Sequence, residues 1–134
     1  MTAPRMTKDE LPQSFGAFKP VDHVVLAFAD DAKADAAIEA LRKAGFGDSD
    51  VIAYSAAEKD NRMRAMLEHA SDVAGFGYEI SLMRRYQQLA RDGASWLIVY
   101  APQDEQGERV GEIAKQHGAL AAVKYHRLVV EDIV

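Results

Sequence analysis

Residues 24–45 read VVLAFADDAKADAAIEALRKAG, and the fold class follows from how this stretch divides. Its first part, VVLAFA (24–29), is a compact apolar run of strand length. It is closed by Asp30 and Asp31, residue types that suit a helix N-cap. The remainder is helical in period. Acidic residues lie in its first turn, Arg42 and Lys43 in its last, and Gly45 stands at the stop. Ala34, Ile38 and Leu41 are expected to form its buried stripe. A second strand, DVIAYS (50–55), follows.

The same design returns later in the chain. WLIVYA (96–101) is a strand run followed by Pro102, a helix-period segment DEQGERVGEIAKQHG (104–118) and a closing strand LAAVKYHRLVV (120–130). A shift of 72 residues places Leu26 on Ile98, Phe28 on Tyr100, Ala29 on Ala101, Ile38 on Val110 and Leu41 on Ile113. The register slips by one at the helix-stop glycines, Gly45 and Gly118. Two β-α-β halves of this kind predict an α+β, ferredoxin-like split β-α-β plan: an antiparallel four-stranded sheet with the repeat helices on one face. The name implies no iron–sulfur cluster, and the chain has no cysteine to hold the usual kind.

Between the halves, AEKDNRMRAMLEHASDVA (57–74) and YEISLMRRYQQLARDG (78–93) each carry apolar residues at helical spacing. They are expected to form a two-helix insertion between strands 2 and 3, covering about residues 57–93 and bent at Gly75–Gly77. Residues 1–20, with Pro4, Pro12, Pro20 and the isolated Phe15 and Phe18, read as a flexible N-terminal arm. Residues 21–134 then form a single domain.

AGFGYEIS (74–81) superficially suggests a base-stacking strand. Ala74 stands where a basic residue is wanted, Glu79 where an apolar one is, and the following residues are helical in period. A phosphate-binding loop is disfavoured too, because no strand precedes it and Glu79 occupies the helix start. Glycine at a bend remains, since it supplies the dihedrals a joint needs.

Composition narrows the function classes. A net charge of −5 argues against nucleic acid as the main partner, because Lys and Arg supply most of that affinity. Lack of cysteine removes disulfides and thiolate chemistry. No apolar run approaches the roughly 20 residues needed to span a bilayer, and no secretory signal is read at the N-terminus. The expected setting is cytoplasmic, without a membrane.

Strand alternation places Val24, Leu26, Phe28, Trp96, Ile98 and Tyr100 on one face, and His23, Val25, Ala27, Leu97 and Val99 on the other. Neither face is polar, so both require a cover. The repeat helices supply one; the insertion or a second subunit supplies the other. The aromatic face is expected away from the repeat helices. From this a homodimer is expected, through a sheet face or the helical insertion.

Two places are candidates for chemistry. Tyr78, Arg85 and Tyr86 fall on or near one side of the second insertion helix. A pocket between it and the sheet, lined also by Trp96 and Tyr100, would hold a small apolar ligand with polar tips; the alternative is ordinary packing. His23, Tyr125, His126 and Arg127 form a possible polar cluster at the sheet edge. The alternation of Tyr125, His126 and Arg127 prevents all of them from converging, and the alternative is exposed edge-strand residues. The histidines His23, His69, His117 and His126 are scattered without ligand spacing, so neither a metal nor a cofactor is expected.

The segment VVLAFADDAKADAAIEALRKAGFGDSDVIAYS (24–55) resembles the opening half of the general-stress-protein-like family of bacterial ferredoxin-fold proteins, and GASWLIVYAPQDEQGERVGEIAKQHGA (93–119) is similar to its closing half. The likeness covers about residues 22–56 and 93–125. It implies an uncharacterised, stress-associated interaction or regulatory protein without enzymatic activity, and offers no catalytic residues. The insertion departs from the glycine-zipper-like segment common in that family, keeping only Gly75 and Gly77 amid charged residues. A small-ligand-binding protein or enzyme using the crevice between insertion and sheet is the alternative.

Overall fold

The computed structural model describes residues 22–55, 80–125 and 130–133. In chain order the elements are β1 (His23–Phe28), α1 (Asp31–Lys43), β2 (Val51–Tyr54), α2 (Ile80–Arg91), β3 (Ser95–Tyr100), α3 (Asp104–Gln116), β4 (Ala121–Tyr125) and β5 (Val130–Asp132). The strands form one antiparallel open sheet in the order β2-β3-β1-β4-β5. The architecture is mixed α+β. The segments expected to form the arm, the first insertion helix and the bend at Gly75–Gly77, with Tyr78, His126 and Arg127, lie outside the described residues.

Local chemistry sets the helix limits. The Asp30 carboxylate accepts from the Lys33 N–H at 2.8 Å and caps α1. All three described helices end alike, on a glycine in the left-handed region: Gly45, Gly93 and Gly118. At each end the following N–H reaches back five residues, from Phe46 to Leu41, Ala94 to Leu89 and Ala119 to Ala114. These Schellman-type bonds satisfy carbonyls that the helix leaves open.

Two apolar layers sandwich the sheet. Val24, Leu26, Phe28, Leu97, Val99 and Ala122 face α1 and α3, meeting Ala34, Ala37, Leu41, Val110, Ile113 and Ala114. Val25, Ala27, Ile52, Tyr54, Trp96, Ile98, Ala121, Val123 and Tyr125 face the other way, where Tyr86 and Ala90 of α2 meet them. Small side chains let α1 and α3 approach the sheet closely, whereas large rings fill the space beneath α2.

Two expectations are corrected. The assignment of strand faces paired β1 and β3 in the wrong phase: Leu97 and Val99 share the face of Val24, Leu26 and Phe28, while Trp96 and Ile98 share that of Val25 and Ala27. The true repeat shift is the one the stop glycines carry, Gly45 to Gly118, and it also relates Leu26 to Val99 and Ala37 to Val110. A one-residue slip moves every side chain of a strand to the opposite face. The stripe of α1 accordingly centres on Ala34, Ala37 and Leu41, with Ile38 only partly buried at its border.

Second, the closing segment is not one strand. β4 ends at Tyr125 and β5 pairs back onto it, with Tyr125 opposite Val130 and Val123 opposite Asp132. β4 is therefore an interior strand, and a fifth strand forms the edge. Helices of the same chain lie on both sheet faces, α1 and α3 on one and α2 on the other.

Candidate functional site

Beneath α2 the rings form a layer. Tyr86 and Trp96 are fully buried and meet edge to face, centroids 5.4 Å apart at 80°, a geometry worth about 0.5–1.5 kcal/mol beyond area burial. The Tyr125 hydroxyl donates to the Tyr86 hydroxyl at 3.0 Å. Burial pushes the Tyr125 phenol well above its ordinary value, and the Tyr86 hydrogen bond only partly opposes this. The Trp96 indole N–H is buried without a hydrogen-bond partner among the described residues.

Of the other residues expected here, Arg85 is exposed and donates through Nη2 to the Leu120 carbonyl at 2.7 Å, tying α2 to the approach to β4. Tyr100 is partly exposed and stacks obliquely on His23, ring centroids 5.0 Å apart. His23 and Tyr125 are both buried, which corrects the reading of them as exposed edge residues; β5 supplies the edge instead. The backbone joins them. Asp22, in the left-handed region, donates its N–H to the Tyr125 carbonyl at 2.8 Å and accepts from the Ala101 N–H at 2.9 Å. Of the described residues, His23, Trp96, Tyr100 and Tyr125 share one sheet face, and Tyr86 packs on it from α2.

A second polar tie closes the opposite end of the sheet. The Asp31 carboxylate accepts from the hydroxyls of Ser55, at 2.8 Å, and Ser95. This joins the start of α1 to the end of β2 and the start of β3.

Sequence reasoning missed a groove of about 600 Å³ beside α3. Asp104, Glu108, Glu112 and Lys115 line it from the exposed side of the helix, at spacings that share one helix face. Toward the sheet that face carries Gly107 and Gly111. A Cβ at Gly107 would lie 3.3 Å from Lys124 Nζ, and one at Gly111 would lie 3.3 Å from Ile133 Cδ1. The glycines therefore make room for Lys124 and Ile133, which form the floor.

Lys124 projects to the α3 side of the sheet, is only 3% exposed, and donates through Nζ to the Ala101 carbonyl. A buried ammonium is tolerated only where it is paired. Two signals in the sequence point here: glycines at i and i+4 inside an otherwise charged helix, and a lysine within the apolar strand AAVKY. Each is helix- or strand-unfavourable unless tertiary packing requires it.

Among the described residues, no group of three or more metal-ligating side chains is placed to hold an ion. No described helix is long and apolar enough to cross a membrane. Compared with known proteins, the chain matches no family model, no curated protein and no solved structure.

Proposed function

We propose that the chain is a non-enzymatic regulatory or interaction domain of ferredoxin-like plan that binds a small molecule in the groove beside α3. The observation that carries this reading is the groove itself, opened by Gly107 and Gly111 over the buried Lys124 ammonium. Its volume lies in the range of about 300–1,000 Å³ usual for small-molecule sites. The ferredoxin-like assignment is supported by the strand order β2-β3-β1-β4 and by a helix on the same sheet face after both β1 and β3. The helical insertion and the stress-associated, cytoplasmic setting belong to the same reading, the setting through the resemblance of residues 22–56 and 93–125.

The test compares the wild-type chain with Gly111→Leu, whose side chain fills the groove. Thermal midpoints are measured in buffer and in the small-molecule fraction of a bacterial extract. A rise in the wild type that is absent from Gly111→Leu supports groove binding, since a ligand selective for the folded state raises the midpoint. An equal response from both chains, or none from either, overturns it.

A second reading places the ligand between α2 and the sheet. The Trp96 N–H, without an acceptor among the described residues, favours it, because a buried donor left unpaired is unfavourable by about 1–3 kcal/mol. Quenching or shift of Trp96 emission by benzamide, with no effect of toluene, is the expected signature of an acceptor reaching that N–H.

A further inference from the structure

The groove beside α3 has an uncommon charge layout. One wall carries three carboxylates in successive helical turns, Asp104, Glu108 and Glu112, and then the ammonium of Lys115, all on exposed residues. The floor carries the opposite charge: Lys124 brings its ammonium to Gly107, on the same helix face as Asp104 and Glu108. Further along, the floor becomes apolar at Ile133, which lies against Gly111.

A simple anion entering this space meets the floor favourably but passes the carboxylate wall. A simple cation is drawn by the wall and opposed by Lys124. Like-charge juxtaposition is a strong discriminator between ligands. A ligand carrying both charges a few bonds apart satisfies wall and floor together, and an aliphatic tail then rests on Ile133. The Ala101 carbonyl holds the ammonium in place, so the positive end of the site is set before a ligand arrives.

We infer that the groove is a site for a zwitterion with an aliphatic side chain, of the α-amino acid class, its carboxylate toward Lys124 and its ammonium toward Glu108 and Glu112. This rests on the groove reading above and names the ligand class.

The test uses L-leucine and the two compounds that each lack one of its charges, 4-methylpentanoate and 3-methylbutylamine, titrated by calorimetry into the full chain. Leucine is expected to bind at least about tenfold more tightly than either analogue, the scale expected when one partner of a desolvated charge pair is removed. Lys124→Met is expected to weaken leucine by about tenfold or more and to leave 3-methylbutylamine unweakened. Glu108→Gln, at an exposed position, is expected to reduce leucine affinity severalfold without unfolding the chain. If Lys124→Met does not fold, Glu108→Gln and Glu112→Gln decide the matter through the same three ligands.

Either analogue binding as tightly as leucine overturns the proposal, as does absence of leucine binding to a folded chain at millimolar concentration. Where leucine fails while the extract still raises the wild-type midpoint and not that of Gly111→Leu, the ligand class is wrong and the groove reading stands. Loss of both results removes the two together.

Discussion

The hydroxyl of Tyr125 on β4 donates to the hydroxyl of Tyr86 on α2 across 3.0 Å, inside a layer otherwise filled by apolar atoms and rings. It is a specific polar tie between α2 and the sheet. Removing either hydroxyl deprives the other of this partner in a dry setting, at about 1–3 kcal/mol. Tyr86→Phe and Tyr125→Phe are each expected to destabilise by that amount. The double variant is expected to lose less than the sum, with a coupling of roughly 0.5–1.5 kcal/mol. Denaturant unfolding of the four chains measures it; strict additivity would mean that the two hydroxyls do not interact.

The same phenol gives a pH signature. Tyr125 is held neutral by burial, its folded value raised above the ordinary 10.0. Above about pH 10 the unfolded chain therefore loses this proton while the folded chain keeps it. The unfolded state then binds fewer protons, so stability falls as pH rises. The contribution is fully present below pH 10 and is lost progressively above it. Wild-type stability is expected to decline more steeply than that of Tyr125→Phe between pH 10 and 11. Parallel curves for the two chains would contradict the assignment.

Asp31 holds two hydroxyls, those of Ser55 and Ser95, and so links α1, β2 and β3 at one point. Asp31→Ala is expected to destabilise by roughly 2–3 kcal/mol, the loss of two hydrogen bonds to a charged acceptor moderated by partial exposure. Asp35→Ala, on an exposed position of the same helix, serves as the control and is expected to stay within about 0.5 kcal/mol of wild type. Urea midpoints that move equally in both chains would assign the effect to helix charge rather than to the clasp.

The helix-stop glycines make a graded prediction. Gly118 has φ +71, close to the left-handed helical value, and Gly45 has φ +103, further from it. An L side chain in the left-handed region is disfavoured by about 1–2 kcal/mol. Gly118→Ala is expected to show that amount and Gly45→Ala more. Gly47→Ala is the control, because φ is −80 there and its nearest contact is an ordinary 3.5 Å. Thermal melts should rank Gly47→Ala as the mildest of the three.

The architecture was legible where sequence signals are redundant. Strand runs, the Asp30 cap and the stop glycines all marked the β-α-β units, and each agrees with the elements found. The sheet faces were misjudged because a pleat has period two, so an offset of one residue inverts them. The glycine spacing between Gly45 and Gly118 held the right offset; the apolar runs, continuous through both strands, did not. β5 was hidden because residues 120–130 contain no glycine, proline, asparagine or aspartate to divide them, so the stretch reads as one strand. The groove was hidden for another reason. Gly107, Gly111, Lys124 and Ile133 are adjacent only once β4 and α3 are packed together and β5 has turned back along β4.

Trp96 is the chain's single tryptophan, and it stands edge to face with Tyr86 under α2, on the sheet face opposite the groove. The protein thus carries a built-in optical probe confined to one of its two layers. Emission will report events beneath α2, while calorimetry reports binding on either side of the sheet, and the two readouts need no added label. A ligand that alters the heat but not the light has engaged the α3 side. One that alters both has either entered beneath α2 or carried its influence through the sheet.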